Sequence, residues 1–312
     1  MIRSHRRLAA AIVIGASVAV VLAGCSGGGG SSSSSGKTLV VDNSFDLKTS
    51  DPARAFELTG SIVDKALYET VLTFKGSDVT KPVPGIMSYS ESSDDKTLTL
   101  TMDGKHYFSN GDPVTVDDVV FSLKRVQAIA GNPSFLLSDQ LTGKPLTITK
   151  TSDTTMTITD TNPNPALPFI LPNPSLGVLD EKTVEKHGGT DTKSDAAGTW
   201  LNANSAGSGP YELSSLNVQS KVVFVPNPHY TGTKPAYGRV VLQNQTGATQ
   251  KVDIQGGAAQ LATGLNASQI SGLASSKVKV LKSTSPDVGY LWLNQNAKVS
   301  GGVTNDANFN AA

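Results

Sequence analysis

The chain has 312 residues and carries 26 Lys and Arg against 26 Asp and Glu, so its formal net charge is zero. Its length suits one large domain or two smaller ones, and a hydrophobic fraction of 38% together with 30 glycines is sufficient for a sizeable core. Zero net charge argues against a nucleic-acid-binding protein, which needs basic residues to neutralise phosphates. The single cysteine excludes an intramolecular disulfide framework and a multi-cysteine zinc site.

Residues 1–24 have the order of charged, apolar and small residues that is typical of a secretory signal peptide. Three arginines precede an apolar run over 8–22, and the pattern Leu-Ala-Gly-Cys25 then resembles a bacterial lipobox. In a lipobox the cysteine is lipidated and becomes the first residue of the mature protein. The alternatives are an uncleaved membrane helix, for which the run is short of the ~20 residues needed, and a twin-arginine export signal, whose other motif residues are missing.

Glycine and serine make up all of residues 26–36, which we interpret as a flexible tether. A tether of this composition and length has a root-mean-square span of ~15–20 Å. We therefore predict that residues 25–36 are a lipidated cysteine and its tether, which hold the folded body just outside the cytoplasmic membrane. Acyl chains on Cys25 would supply the anchoring, at ~0.8 kcal/mol per buried methylene.

Apolar periodicity predicts mixed α and β structure in the body of the chain. In chain order we expect a strand over 37–42, a helix over about 60–71, a strand over 96–102, a helix from the Thr115–Asp118 capping box to 131–133, and a hairpin of strands 146–149 and 154–159. Further on we expect a loop with at most a short helix over 162–174, a loop over 189–209, strands 221–225 and 239–243, a helix from the Asn266–Gln269 capping box, and strands 277–281 and 288–293.

The residues that usually carry catalysis or bind metal are scattered along the chain. The four histidines stand far apart, and none is spaced from another histidine or from the cysteine as in a metal site. The sequence has no Gly-x-Ser-x-Gly nucleophile elbow and no phosphate-binding loop. Helix capping explains the adjacent acids Asp117 and Asp118 better than acid–base catalysis does. We therefore predict that the protein is not an enzyme and needs no metal or cofactor.

Five segments of the body stand in a characteristic order. The longest is Phe108-Ser-Asn-Gly-Asp-Pro-Val-Thr-Val-Asp-Asp-Val-Val-Phe-Ser-Leu-Lys-Arg125. The others are Ser50-Asp-Pro52 before Leu67-Tyr-Glu69, Lys81-Pro-Val-Pro-Gly-Ile-Met87 with 94–102, Gly207-Ser-Gly-Pro-Tyr-Glu-Leu213, and Asn227-Pro-His-Tyr-Thr-Gly232 before Pro235. Together, over about 37–300, they closely resemble the signature of the family 5 extracellular solute-binding proteins, which serve oligopeptide, dipeptide and nickel ABC importers.

The resemblance implies an α/β fold with mixed sheets: a class II clamshell of the periplasmic-binding-protein type, whose lobes close on a ligand by a hinge motion. It assigns 37–48 and 175–300 to an incomplete first lobe, 49–174 to an inserted small domain, and 301–312 to the start of the second large lobe. Family members continue well beyond this point, so we expect a C-terminally truncated chain that lacks the second large lobe. Such a chain should bind ligand weakly, because half of the cleft walls are absent.

In the family, the ligand cleft is lined by the loop after the first strand, the region after the capped helix and the crossover strand. The residues at these positions are Phe45, Asp46, Phe135, Leu136, Tyr290 and Trp292. Aromatic walls suit apolar or aromatic peptide surface, and Asp46 suits a peptide amide or amine. Core packing is the alternative for the aromatic residues, since Tyr290 and Trp292 stand two apart on a strand and share one face.

The implied function is that of a lipid-anchored substrate-binding component of an ABC importer. It would capture oligopeptides or dipeptides outside the membrane and deliver them to the permease and its ATPase subunits. We expect a monomer that reaches the membrane through its lipid anchor and binds no nucleic acid. Two alternatives stay open: the same fold binding nickel, a sugar or another solute, and an interaction lipoprotein without a transport role.

Overall fold

The computed structural model describes residues 36–273 and 277–281, which contain both helices and strands. The strands are β1 (Thr38–Asn43), β2 (Leu72–Lys75), β3 (Asp78–Pro84), β4 (Met87–Glu91), β5 (Thr97–Met102), β6 (Thr147–Lys150), β7 (Thr155–Thr159), β8 (Tyr211–Asn217), β9 (Lys221–Pro226), β10 (Arg239–Asn244) and β11 (Leu261–Ala262). The helices are α1 (Leu58–Leu67), α2 (Val116–Ile129), α3 (Leu167–Ile170), α4 (Glu181–Lys186), α5 (Gly198–Leu201), α6 (Gly247–Gly256) and α7 (Ala267–Ile270). Short 3-10 helices cover Asn132–Leu137 and Pro174–Leu176.

The strands of the described residues form three sheets. A five-stranded sheet has the order β11-β1-β10-β9-β8, a four-stranded sheet has the order β4-β5-β7-β6, and β2 pairs with β3. In the five-stranded sheet β1 runs parallel to both of its neighbours, β10 and β11, whereas β8, β9 and β10 pair antiparallel. The four-stranded sheet is antiparallel throughout. The sheets are therefore mixed, as the sequence predicts.

Most of the elements with a clear local signal are confirmed. The predicted strands that fall on β1, β5, β6, β7, β9 and β10 form, and both capping boxes are complete, with each N-cap side chain accepting from the N3 amide. Strands β2, β3, β4 and β11 are not expected from the sequence. In β3 two prolines interrupt the pattern, and proline is confined to sheet edges because it cannot donate to the ladder.

One predicted helix end, one predicted strand and part of one predicted loop are wrong, and one predicted strand is not tested. The loop expected over 189–209 contains the short helix α5 (Gly198–Leu201). Helix α1 ends at Leu67 rather than near 71, because Tyr68 adopts an extended backbone conformation. The strand expected over 277–281 does not form, because this segment has no regular secondary structure. The strand expected over 288–293 lies outside the described residues.

The first hydrophobic core lies between α2 and the four-stranded sheet. Alternate residues of β5 and β7 are buried on one face of that sheet, and α2 presents residues three and four apart to the same core. These residues are Leu98, Leu100, Met156, Ile158, Val116, Val119, Leu123 and Val126. The amphipathic pattern of α2 thus explains this packing directly.

The second core gathers around the five-stranded sheet. It contains Val63 and Leu67 of α1, Val222 and Phe224 of β9, and one residue of α2, Phe121. Helix α2 therefore contributes side chains to both cores. Helix α1 packs with the five-stranded sheet although it falls within 49–174, the range expected for the inserted small domain. The domain boundaries themselves stay a prediction.

A buried ionic cluster surrounds Arg125, which lies near the carboxyl end of α2 and is fully buried. Its Nη1 and Nη2 donate to the two carboxylate oxygens of Asp51 at 2.7 Å each. Its Nε and Nη2 donate to Asp195 at 2.8 and 2.9 Å. Burial alone would lower the pKa of Arg125, but hydrogen bonds from its guanidinium to the two carboxylates outweigh burial and raise that pKa above its ordinary value. The charge is therefore permanent and fully paired.

The Gly207–Leu213 motif allows the chain to approach the carboxyl end of α1. The amide of Gly209 donates to the carbonyl oxygen of Leu67 at 3.0 Å, and a Cβ atom on Gly207 would lie 2.1 Å from the same oxygen. Nothing larger than glycine fits at such a distance. The motif is thus explained by packing of the fold.

The amino end of α1 is capped by a residue from a distant loop. Its N-cap residue, Glu57, provides no side-chain cap. Instead the Asp46 carboxylate accepts from the amides of Leu58 at 3.2 Å and Thr59 at 2.9 Å. Partial burial would raise the pKa of Asp46, but hydrogen bonds from Thr59 and Leu58 outweigh burial and hold it below its ordinary value. A carboxylate at this end also complements the helix dipole.

Removing the buried guanidinium should destabilise the fold severely. We expect Arg125→Met to lower the free energy of unfolding by about 3–5 kcal/mol, because Asp51 and Asp195 would be left as neighbouring buried carboxylates with only the partly exposed Arg54 beside them. Lys124→Met, on the adjacent and partly exposed position of the same helix, should change it by less than about 0.5 kcal/mol. Urea denaturation followed by circular dichroism measures both. Equal effects of the two variants would contradict this account of Arg125.

Removing the Asp46 cap should weaken the protein by about 1 kcal/mol, the usual effect of losing a helix cap. The folded-state pKa of Asp46 lies below its ordinary value, so its contribution is complete above that ordinary value and is lost as the pH falls through the folded pKa. Asp46→Ala should therefore destabilise at about pH 7 more than at about pH 3. Asp191→Ala, at another exposed acid, is the control in the same urea titrations. A pH-independent effect would show that the carboxylate is not what stabilises α1.

Candidate functional site

The carboxyl ends of β1, β10 and β11 meet at one edge of the five-stranded sheet, because these three strands are parallel. In open α/β sheets, ligands bind outside the carboxyl ends of the strands. We call the residues there, 43–46, 244–246 and 263–264, the carboxyl edge. They include Phe45 and Asp46, two of the residues expected to line the cleft.

Hydrogen bonds join the three loops of the carboxyl edge. The side chain of Asn43 donates to Thr263 Oγ1 at 2.8 Å, and the carbonyl oxygen of Asn43 accepts from the amide of Gln245 at 2.8 Å. The amide of Phe45 donates to the side-chain oxygen of Asn244 at 3.0 Å. The loop after β1 is therefore held by the loops after β10 and β11.

Gln250, a fully buried residue of α6, completes this framework. Its Nε2 donates to the carbonyl oxygen of Gln245 at 2.9 Å and to Ser44 Oγ at 3.1 Å, and its Oε1 accepts from the amide of Gly264 at 3.0 Å. One amide side chain thus contacts all three loops. Gln250 is not among the residues expected from the sequence, since a lone glutamine in a helix carries no local signal.

Phe45 and Asp46 differ in how far they are available to a ligand. Phe45 is half-buried and packs against the second core, which agrees with the core-packing alternative for this ring. Asp46 is exposed, but its carboxylate already accepts from two amides of α1. An ionised carboxylate has about four acceptor positions, so Asp46 retains capacity for a further donor.

Phe135 and Leu136 lie in the 3-10 helix that follows α2, and they face different surroundings. Leu136 packs partly buried against the first core. Phe135 is 48% exposed and meets the ring of Phe56, itself 40% exposed, edge to face with ring centroids 5.3 Å apart. The two rings form an exposed aromatic pair, an arrangement that proteins use to contact apolar ligand groups.

The segment from Phe56 to Leu58 connects the aromatic pair with the carboxyl edge. Phe56 contacts Phe135, and two residues later the Leu58 amide donates to Asp46. Leu58 is 74% exposed, and Ile62 lies one turn further along the same side of α1 and is also exposed. Phe56 and Leu58 are not among the site residues expected from the sequence, although an apolar residue in the loop before a helix is a signal that could have indicated them.

Three residues of the expected site lie outside the described residues: the lipidation candidate Cys25 and the cleft candidates Tyr290 and Trp292. In residues 36–273 and 277–281, no group of three or more His, Cys, Asp or Glu side chains is arranged to hold a metal ion. No helix of the part that the structure describes is long and apolar enough to cross a membrane.

A family model and one curated relative match most of this chain. The model for bacterial extracellular solute-binding proteins, family 5 Middle, matches residues 81–312. The probable D,D-dipeptide-binding periplasmic protein DdpA of Escherichia coli is 29% identical over 262 residues, which are 82% of this chain and 49% of the relative. The chain therefore spans about half the length of that relative.

Several solved structures share the fold. OppA of Haemophilus influenzae, in complex with RPPGFSPFR, has a TM-score of 0.64 and 24% identity over 76% of this chain and 48% of its own. DppA of Helicobacter pylori, in complex with peptide STSA, has a TM-score of 0.63 and 21% identity over 75% of this chain and 48% of its own. These likenesses confirm the predicted α/β fold of the periplasmic-binding-protein type. The relatives are binding proteins and not enzymes, as predicted. This chain belongs to the bacterial extracellular solute-binding proteins of family 5.

Proposed function

We propose that this protein is the substrate-binding component of an ABC importer for oligopeptides or dipeptides. The observation that carries the proposal is the exposed aromatic pair Phe56–Phe135 next to the carboxyl edge, in a chain of this family. The relative with 29% identity is named for D,D-dipeptide binding, which supports a peptide ligand.

The described residues offer suitable chemistry for a peptide. The aromatic pair would contact apolar side chains, while loop amides and side chains at the carboxyl edge would satisfy peptide polar groups. The remaining acceptor capacity of Asp46 suits a peptide ammonium group. Phe45 and Leu136 would support these contacts from beneath, and Tyr290 and Trp292 would add a further aromatic wall.

The proposal includes the division into lobes. Residues 37–48 and 175–300 would belong to the first lobe, with 49–174 as the inserted small domain and 301–312 as the start of the second lobe. A ligand on the carboxyl edge would be enclosed when a second lobe closes over it by a hinge motion. The closed form would then present the peptide to the permease, which the ATPase subunits drive.

For its location we propose the outer face of the cytoplasmic membrane, with the protein monomeric and Cys25 lipidated. The signal-like order of residues 1–24 and the Gly/Ser tether over 26–36 support an exported, anchored protein. The extracellular description of the family agrees with export. A soluble body on a tether can capture ligand outside the membrane while it stays near the permease.

The aromatic pair should contribute directly to peptide affinity. We expect the double variant Phe56→Ala/Phe135→Ala to raise the Kd for a bound peptide about tenfold or more, since aromatic contacts contribute ~0.5–1.5 kcal/mol beyond the area they bury. The peptide is first selected from a mixed library on the intact protein and identified by mass spectrometry, and calorimetry then gives each Kd. Phe169→Ala, at an exposed phenylalanine of α3, is the matched control and should leave the Kd unchanged.

Three results would contradict the proposal. An unchanged Kd in the double variant would remove the aromatic pair from the site. Selective retention of a nickel complex, a sugar or another solute, with no peptide retained, would show that the ligand is that solute and not a peptide. Normal peptide uptake by cells that lack the protein would favour the alternative of an interaction lipoprotein.

The lipid anchor rests on one thiol and can be tested separately. Cys25→Ser should abolish incorporation of radiolabelled palmitate and move the protein out of the membrane fraction, because the chain has no other cysteine. Ser26→Ala, at the neighbouring tether residue, should leave label and location unchanged. Palmitate labelling that persists in Cys25→Ser would exclude Cys25 as the lipidated residue.

A further inference from the structure

A concave surface that shares no lining residue with the carboxyl edge lies between α4, α5, β8 and the turn before α2. Its volume is about 370 Å³, and residues on its wall include Phe108, Asn110, Asp180, Trp200 and Glu212. Small-molecule sites in proteins typically have volumes of about 300–1,000 Å³. Two segments singled out in the sequence, 108–125 and 207–213, contribute to this one cavity.

The charged residues of the wall are both acidic. Asp180 and Glu212 line the cavity, and no lysine or arginine does so within the described residues. The Asp180 carboxylate is already engaged: it accepts from Asn110 Nδ2 at 2.8 Å and from the amide of Thr183 at 3.1 Å. Asp180 therefore has a structural role as the N-cap of α4.

Glu212 is different, because no hydrogen bond or ion pair reaches its carboxylate from the part of the chain that the structure describes. It is half-buried on β8, and burial raises its pKa while the nearby His229 opposes that rise. The attraction between a carboxylate and a cation is stronger on the wall of a partly desolvated cavity than in open water. Glu212 is thus free to pair with a ligand.

Trp200 supplies an apolar wall whose position is fixed. Its indole stacks on the imidazole of His187 with ring centroids 4.1 Å apart and planes 8° from parallel. An indole ring presents a large apolar surface on which an alkyl chain can pack. A carboxylate and a fixed indole on the wall of one cavity are therefore complementary to a ligand that carries one positive charge and a short apolar body.

We propose that this cavity binds a small organic cation of the alkylammonium type, with the ammonium group paired to Glu212 and the alkyl chain against Trp200. The polar side chains of Asn204 and Ser205 also line the cavity and can accept the remaining ammonium protons. The inference does not rest on peptide binding at the carboxyl edge, since the two surfaces have no residue in common.

The test uses the full chain with Trp292→Phe, which leaves Trp200 as the sole tryptophan because the sequence has two. The probes are butylammonium chloride and 1-butanol, which has the same alkyl chain without the charge. We expect saturable quenching of Trp200 fluorescence by butylammonium and binding at least about tenfold weaker for 1-butanol, as expected from the loss of one charge-assisted hydrogen bond.

Two variants locate the binding. Glu212→Gln should weaken butylammonium binding about tenfold, whereas Glu181→Gln, at an acid of α4 that does not line the cavity, should leave it unchanged. Ala203→Leu narrows the cavity without removing a charge, so it should weaken the binding of both probes. This variant keeps the proposal testable if Glu212→Gln does not fold. No saturable quenching, equal affinity for the two probes, or unchanged binding in both cavity variants would overturn the proposal.

Discussion

The guanidinium of Arg125 links parts of the chain that are far apart in sequence. Its helix, α2, contributes side chains to both hydrophobic cores, and at the guanidinium it is bonded to Asp51 on one side and Asp195 on the other. Both carboxylates are buried, and Arg54 adds a second cation to the same cluster. A buried ion pair contributes little when compared with apolar packing, but it is highly sensitive to the loss of one partner. The position of α2 therefore depends on this cluster being complete.

A short series of contacts connects the same cluster with the candidate site. Asp51, which is bonded to Arg125, begins a turn of the backbone. Its backbone carbonyl oxygen accepts hydrogen bonds from the amides of Arg54 and Ala55 at 3.0 Å each. Phe56 is the next residue, and its partner Phe135 lies in the 3-10 helix directly after α2. Both rings of the aromatic pair are thus positioned by elements that Arg125 joins. A change in the buried cluster should therefore shift the aromatic pair on the surface where a ligand would lie.

Another buried charge-bearing group lacks such a partner. Within the described residues neither carboxylate oxygen of Asp64, on α1, has a hydrogen-bond partner. Burial, assisted by the charges of Asp51 and Glu57, raises the pKa of Asp64 well above its ordinary value. The unfolded chain ionises this group above about pH 4, whereas the folded chain keeps the proton to a higher pH, so Asp64 lowers stability increasingly as the pH rises from about pH 4. Among the described residues, Arg125 is thus a buried charge with paired carboxylates, whereas Asp64 is a buried acid whose pKa is raised.

The sequence by itself determined the features that depend on near neighbours. The capping boxes at Thr115 and Asn266, the strands with clear alternation and the order of the family motifs are all local, and they were sufficient to predict the fold class. Tertiary structure decided which side chains are exposed and which charges are paired. Asp51 and Arg125 bond across 74 positions, and the Asp46 carboxylate, predicted for a ligand, is shared with the amides of α1. Likewise Phe56 and Leu58 are exposed while Phe45 is half-buried, because burial depends on residues that only the folded chain brings into contact.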